Sequence, residues 1–100
     1  MQGVGYALTE ELTSEDGHIL NGHLSDYKLP SIADLPELVT INLPTSGPGP
    51  FNASAIGELP IMPTAGAIAN AVADAIGAPV LSLPITAERV LEAIAMRGSL

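Results

Sequence analysis

The sequence predicts an α+β fragment of about three helices and a short strand/hairpin region. Three observations carry that reading. Two stretches have apolar residues at helical spacing with recognisable ends, at residues 63–77 and from Thr86 onward. One stretch, Glu37 to Leu43, alternates as a strand does, with Val39, Ile41 and Leu43 on one face and Leu38, Thr40 and Asn42 on the other. Between them lie turn signals, Asp16-Gly17 and Asn21-Gly22, that break the chain into short pieces.

The elements follow in order. Val4, Leu8 and Leu12 fall at i, i+4 and i+8, an amphipathic helical stripe. Glu10 and Glu11 lie in its C-terminal half, where the helix dipole disfavours them, and no N-cap precedes Gln2. The expectation is a helix that continues something begun upstream. Pro30 holds Leu29 extended, so Tyr27 to Pro30 cannot close a helix. Residues 44–50, Pro-Thr-Ser-Gly-Pro-Gly-Pro, form a loop. In the helix of residues 63–77, Pro63 suits the first turn and Gly77 the left-handed end. Ile68, Val72 and Ile76 form one stripe of it, and Ala65, Ala69 and Ala73 a small face that admits a close neighbour. The last helix takes Thr86 as N-cap, Ile85 and Val90 as a hydrophobic staple, and Val90, Leu91 and Ile94 as its buried face.

Composition sets the limits. One hundred residues make one small domain, residues 1–100, which buries only about 60–65% of its unfolded surface. Yet 47% of the residues are hydrophobic, 14% are charged, and the mean hydropathy is +0.39. Such a chain either self-associates or belongs to a larger body, and the second reading is preferred. A net charge of −8 with three cations, Lys28, Arg89 and Arg97, excludes a nucleic-acid partner and disfavours an anionic membrane surface. No apolar run reaches the ~20 residues of a bilayer span, and nothing at the N-terminus resembles a signal peptide, so a cytoplasmic location is expected. The absence of cysteine removes disulfides, zinc fingers and thiol nucleophiles.

One residue stands out chemically. Glu58 is the sole acid between Glu37 and Asp74, set among Ile56, Gly57, Leu59 and Pro60. An acid there is either a solvated loop residue, the commoner case, or one buried for a purpose. Burial disfavours the charged carboxylate and makes it a better proton acceptor. His18 and His23 lack a third ligand at metal-like spacing, so no metal site is read from side chains. Gly3-Val4-Gly5 stops after two glycines of a dinucleotide fingerprint.

The order of the pieces resembles the molybdopterin-binding large subunit of the xanthine dehydrogenase/aldehyde oxidase family, in its C-terminal segment. Gln2 to Glu11 resembles that family's Q-G-x-G-x-A-x-x-E-E helix, and Asp26 to Pro30 its Asp-Tyr-Lys-x-Pro segment. Gly49 to Pro60 resembles G-P-F-G-A-K-G-x-G-E-x-P, Pro63 to Ala75 resembles P-T-A-x-A-I-A-N-A-V-x-D-A, and Leu83 to Leu91 resembles L-P-x-T-P-E-R-V-L. The resemblance implies a part of a larger molybdenum-binding domain, in an enzyme that oxidises an aldehyde or N-heterocycle carbon using water. It implies Glu58 as the general base, taking a proton from a hydroxyl on molybdenum. Gly57 would let the backbone approach the cofactor, and Gln2 would hydrogen-bond molybdopterin. Implied partners are the rest of the molybdenum subunit, iron–sulfur and flavin units, and a small-molecule substrate. No cofactor and no activity are expected of the isolated 100 residues, which are expected to self-associate. A non-catalytic α+β assembly module that dimerises through an apolar face is the alternative. Asn52, Ser54 and Ala55 depart from the family's Gly, Lys and Gly, and Leu59 from a common Pro. Either the base is altered by the missing lysine charge, or the pocket is shaped for another substrate.

Overall fold

The computed structural model describes residues 1–44 and 46–97. Helix α1 spans Gln2–Leu8, α2 Thr64–Ile76 and α3 Ala87–Arg97, and a two-stranded antiparallel ribbon joins β1, Ser14–Glu15, to β2, His18–Ile19. Single 3-10 turns occur at Ile32–Asp34, Pro50–Asn52 and Leu59–Ile61. Three helices with a small hairpin are the α+β fragment that the sequence predicts.

The ribbon forms where Asp16-Gly17 promises a turn. Both residues take positive φ, 48° and 79°, and Ser14 pairs with Ile19 and Glu15 with His18. Asn21 fastens its base: the Asn21 side-chain oxygen accepts from the Thr13 N–H at 2.8 Å, and its amide donates to the Glu11 carbonyl at 2.6 Å.

Helix α1 is shorter than its stripe predicts. The N–H groups of Thr9 and Glu10 and the Thr9 hydroxyl all converge on the Gly5 carbonyl, at 2.8, 2.9 and 3.2 Å. A β-branched residue whose hydroxyl bonds back four positions ends the helix there. Glu10 and Glu11 thus lie just beyond its last turn, where each side chain has a partner. Glu10 accepts from the Tyr27 hydroxyl at 2.8 Å, and Glu11 pairs with Arg89 at 2.8 Å. The buried face is Gly3, Gly5 and Ala7 rather than Val4, Leu8 and Leu12, and Leu12 stays largely exposed. Small residues win because α1 lies against α2: a Cβ on Gly3 would stand 2.6 Å from the Thr64 Cβ.

Helix α2 has the ends the sequence announces. Pro63 precedes it, and Gly77 closes it in the left-handed region at φ 68° and ψ 25°. Both Ile68, Val72, Ile76 and Ala65, Ala69, Ala73 are half-buried, so the two stripes serve one face. Arg97 donates to the Ile76 carbonyl at 2.6 Å and ties the end of α3 to the end of α2. Thr86 caps α3 by accepting from the Arg89 N–H at 3.3 Å, and Ile85 beneath it is buried. The predicted buried face of α3 is incomplete: Leu91 is exposed and Ile94 is 45% exposed, because no element packs over that side among the described residues.

The strand expected at Glu37 to Leu43 is absent among the described residues. The segment is irregular, its backbone groups bond to nothing described, and Leu38, Val39, Ile41 and Leu43 are exposed. A strand exists only through a neighbour, and none lies alongside.

The core is accordingly thin. Among the described residues its buried hydrophobic members are Ala7, Ala78, Val80 and Ile85, gathered where α1 meets the segment before α3; there the Ile85 N–H donates to the Ala7 carbonyl at 2.7 Å. The radius of gyration is 17.9 Å, against about 13 Å for a compact chain of this length. Residues 59–76 are apolar enough in composition for a membrane span. They comprise a 3-10 turn and then a 13-residue helix of about 20 Å, short of a ~30 Å hydrocarbon core.

Candidate functional site

Glu58 sits at the entrance to the 3-10 turn Leu59–Ile61, and its carbonyl accepts from the Ile61 N–H at 3.1 Å. Its carboxylate is exposed and has no hydrogen-bond partner among the described residues. Gly57 before it takes φ +59°, a region that costs a side-chain-bearing residue about 1–2 kcal/mol. A Cβ there would meet nothing within 4 Å, so the backbone at Gly57 faces open space. Two residues make the bend possible: Gly57 supplies the left-handed geometry, and Pro60 starts the turn that leads into α2.

The turn is anchored from α1. The Tyr6 hydroxyl donates to the Ile61 carbonyl at 2.8 Å, and the Thr64 hydroxyl donates to the Pro60 carbonyl at 2.9 Å. Together with the seating of Gly3 on Thr64, these contacts fix the Glu58 loop relative to the helix that bears Gln2. Tyr6 is the positioning residue that sequence reading passed over. Its signal was available, a lone aromatic inside a glycine-rich helix, but its partner lies 55 residues away.

Gln2 is exposed at the first turn of α1 and borders a surface hollow of about 390 Å³ with Met1, Glu10, Leu29 and Pro30. A second groove, about 810 Å³, runs beside Glu58, between Thr40 to Leu43 on one wall and Ser54 to Ile56 with Leu59 and Pro60 on the other. No described hollow is lined by both Gln2 and Glu58. The two residues share a scaffold and not a pocket. Ser54, at the position of the family's lysine, lies in the wall of the second groove.

Gly57 offers bare backbone with open space above it, beside an unengaged carboxylate at Glu58, and Gln2 separately offers an exposed amide at the start of α1. Among the described residues no three of His, Cys, Asp or Glu gather as metal ligands. In Gly3-Val4-Gly5, Gly3 seats against Thr64 of α2, and Gly5 lies against the Glu10 side chain and Pro30. His18 lies in β2 and His23 caps a turn through its carbonyl, which accepts from Asp26 and Tyr27 at 2.9 Å.

Comparison with known proteins identifies the family. Residues 1–36 match the family model described as a molybdopterin cofactor-binding domain. The chain is 41% identical to the putative xanthine dehydrogenase molybdenum-binding subunit of Escherichia coli strain K12, over 96% of the chain and 13% of that relative. It is 38% identical to the molybdenum-binding subunit of an E. coli aldehyde oxidoreductase, over 90% of the chain and 13% of the relative. It is 40% identical to the gamma subunit of the 6-hydroxypseudooxynicotine dehydrogenase complex of Paenarthrobacter nicotinovorans, over 90% of the chain and 12% of the relative. The chain belongs to the family of molybdenum-binding subunits of xanthine dehydrogenases and aldehyde oxidoreductases. It spans about an eighth of the length of these relatives.

Proposed function

We propose that this chain is the part of a molybdenum hydroxylase large subunit that carries the general base, Glu58, for oxidation of an aldehyde or N-heterocycle carbon with water. The observation that supports this is the chain-long correspondence with molybdenum-binding subunits, within which Glu58 is the sole acid from residue 38 to residue 73. In the intact subunit the molybdenum cofactor, when bound, supplies the two-electron acceptor and activates the oxygen that is delivered. The chain's own contribution is simple. Glu58 accepts a proton from the attacking oxygen, and Gly57 keeps side-chain atoms out of the cofactor's way. Gln2 donates its amide N–H to polar cofactor atoms. Tyr6 holds the Glu58 turn through the Ile61 carbonyl.

The isolated chain holds no cofactor and turns nothing over, because enclosure of that face needs the remaining seven-eighths of a subunit. Iron–sulfur and flavin units would take up the electrons, and the assembly would be cytoplasmic. The test is Glu58→Gln in the intact subunit. Turnover should fall by about 10²–10⁴-fold, the usual worth of a positioned base, with molybdenum content unchanged. Retained turnover would remove Glu58 from the mechanism and favour the alternative, a non-catalytic assembly module. The exposed apolar residues are the observation in that module's favour.

A further inference from the structure

Asn21-Gly22 is the one asparagine–glycine pair in the chain; Asn42, Asn52 and Asn70 are followed by Leu43, Ala53 and Ala71. The pair sits at the base of the ribbon. There the Asn21 side-chain oxygen accepts from the Thr13 N–H at 2.8 Å, and its amide donates to the Glu11 carbonyl at 2.6 Å. Beside them the Leu20 N–H donates to the Thr13 carbonyl at 2.9 Å. Glu11 in turn pairs with Arg89 at 2.8 Å, so the Asn21 amide links the ribbon to the start of α3. Gly22 is exposed, and its N–H donates to no backbone acceptor among the described residues.

We propose that Asn21-Gly22 is a site of spontaneous deamidation whose product releases the base of the ribbon from Glu11. The Gly22 nitrogen attacks the side-chain carbonyl carbon of Asn21. A C–N bond forms, the amide nitrogen leaves as ammonia with the Gly22 proton, and a cyclic imide closes. Water then opens the imide at either carbonyl, giving aspartate or isoaspartate. Water enters and ammonia leaves, with no change of oxidation state. Glycine favours the attack because no side chain hinders its nitrogen. While both Asn21 bonds hold, they keep the carbonyl carbon from that nitrogen. A lone two-stranded ribbon is marginal in water, however, and all four strand residues here are exposed. The attack therefore proceeds from the locally opened ribbon. The product recloses poorly. An acid at position 21 still accepts from Thr13, but it has no N–H for the Glu11 carbonyl and sets oxygen against oxygen there. Isoaspartate also lengthens the backbone at the ribbon's base. The inference is independent of the role of Glu58.

Mass spectrometry of the intact subunit, aged at mildly alkaline pH, tests the site. Acid and isoaspartate should accumulate at position 21 while Asn42, Asn52 and Asn70 stay amides. Gly22→Ala should suppress the conversion; a Cβ there lies 3.4 Å from the Ile19 Cγ2, a contact the fold accepts. Hydrogen exchange tests the release. Asn21→Asp should speed exchange of the Leu20 amide about five- to tenfold, the worth of one hydrogen bond, while the amides of α2 stay slow. An Asn21 that survives as long as the other asparagines overturns the site. A Leu20 amide as protected in Asn21→Asp as in the unmutated subunit overturns the release.

Discussion

At the scale of single residues, the Ser31–Asp34 pair shows how a local contact becomes a pH dependence. The Asp34 carboxylate accepts from the Ser31 hydroxyl and the Ser31 N–H, both at 2.7 Å, while the same hydroxyl accepts from the Ala33 N–H at 3.2 Å. These donors stabilise the charged carboxylate and hold its pKa below the ordinary 3.8. A depressed carboxyl contributes stability above its unfolded value, and that contribution fades as pH falls through the folded one. Ser31→Ala removes the hydroxyl donor but keeps the N–H, and should therefore move the Asp34 carboxyl titration, followed by NMR, upward part of the way to the ordinary range. A midpoint already at or above that range in the unmutated chain would rule the capping box out. Tyr27 is the mirror case: its hydroxyl donates to Glu10, which favours the neutral phenol and raises its pKa above 10.0.

At the scale of elements, the contact between α1 and α2 is the joint on which the site depends. Its described contact seats Gly3 of α1 against the Thr64 side chain at the start of α2, where any Cβ would crowd it. Gly3→Ala gains up to about 1 kcal/mol of helix propensity but drives a methyl into Thr64, and such overpacking costs about 1–3 kcal/mol. The net effect expected in the intact subunit is a loss of stability on the order of 1 kcal/mol, read as a lowered denaturation midpoint. An unchanged or raised midpoint would mean that Thr64 yields freely. The joint also explains why a glycine-rich start resembling a nucleotide fingerprint is nothing of the kind. Gly3 admits the Thr64 side chain of α2, and Gly5 admits Glu10 and Pro30.

At the scale of the whole chain, the ratio of apolar content to core is the governing fact. Nearly half the residues are hydrophobic, yet the described core is four small or medium side chains. Surface of that kind associates with whatever apolar surface it meets. The isolated chain is expected to show a scattering mass that rises above 10.2 kDa with concentration, and to bind an apolar dye. A 10.2 kDa monomer that binds no dye at any concentration would contradict this.

The sequence by itself determined the elements whose causes are local. Gly77 and Thr86 end and begin helices through their own backbone and hydroxyl, and Asp16-Gly17 turns the ribbon, so each was legible within a few residues. Ordered motifs likewise identified the family, since their order along the chain does not depend on how it packs. Only the tertiary structure decided what depends on a distant neighbour. Thr9 ended α1 early, Thr64 required glycine opposite it, and Tyr6 reached 55 residues to hold the Glu58 turn. The alternating pattern at Glu37 to Leu43 predicts a strand that the described residues do not form, because a strand is a relation between two segments. Within this chain the second segment is missing from among the described residues, and so Glu58 stands exposed beside an open groove.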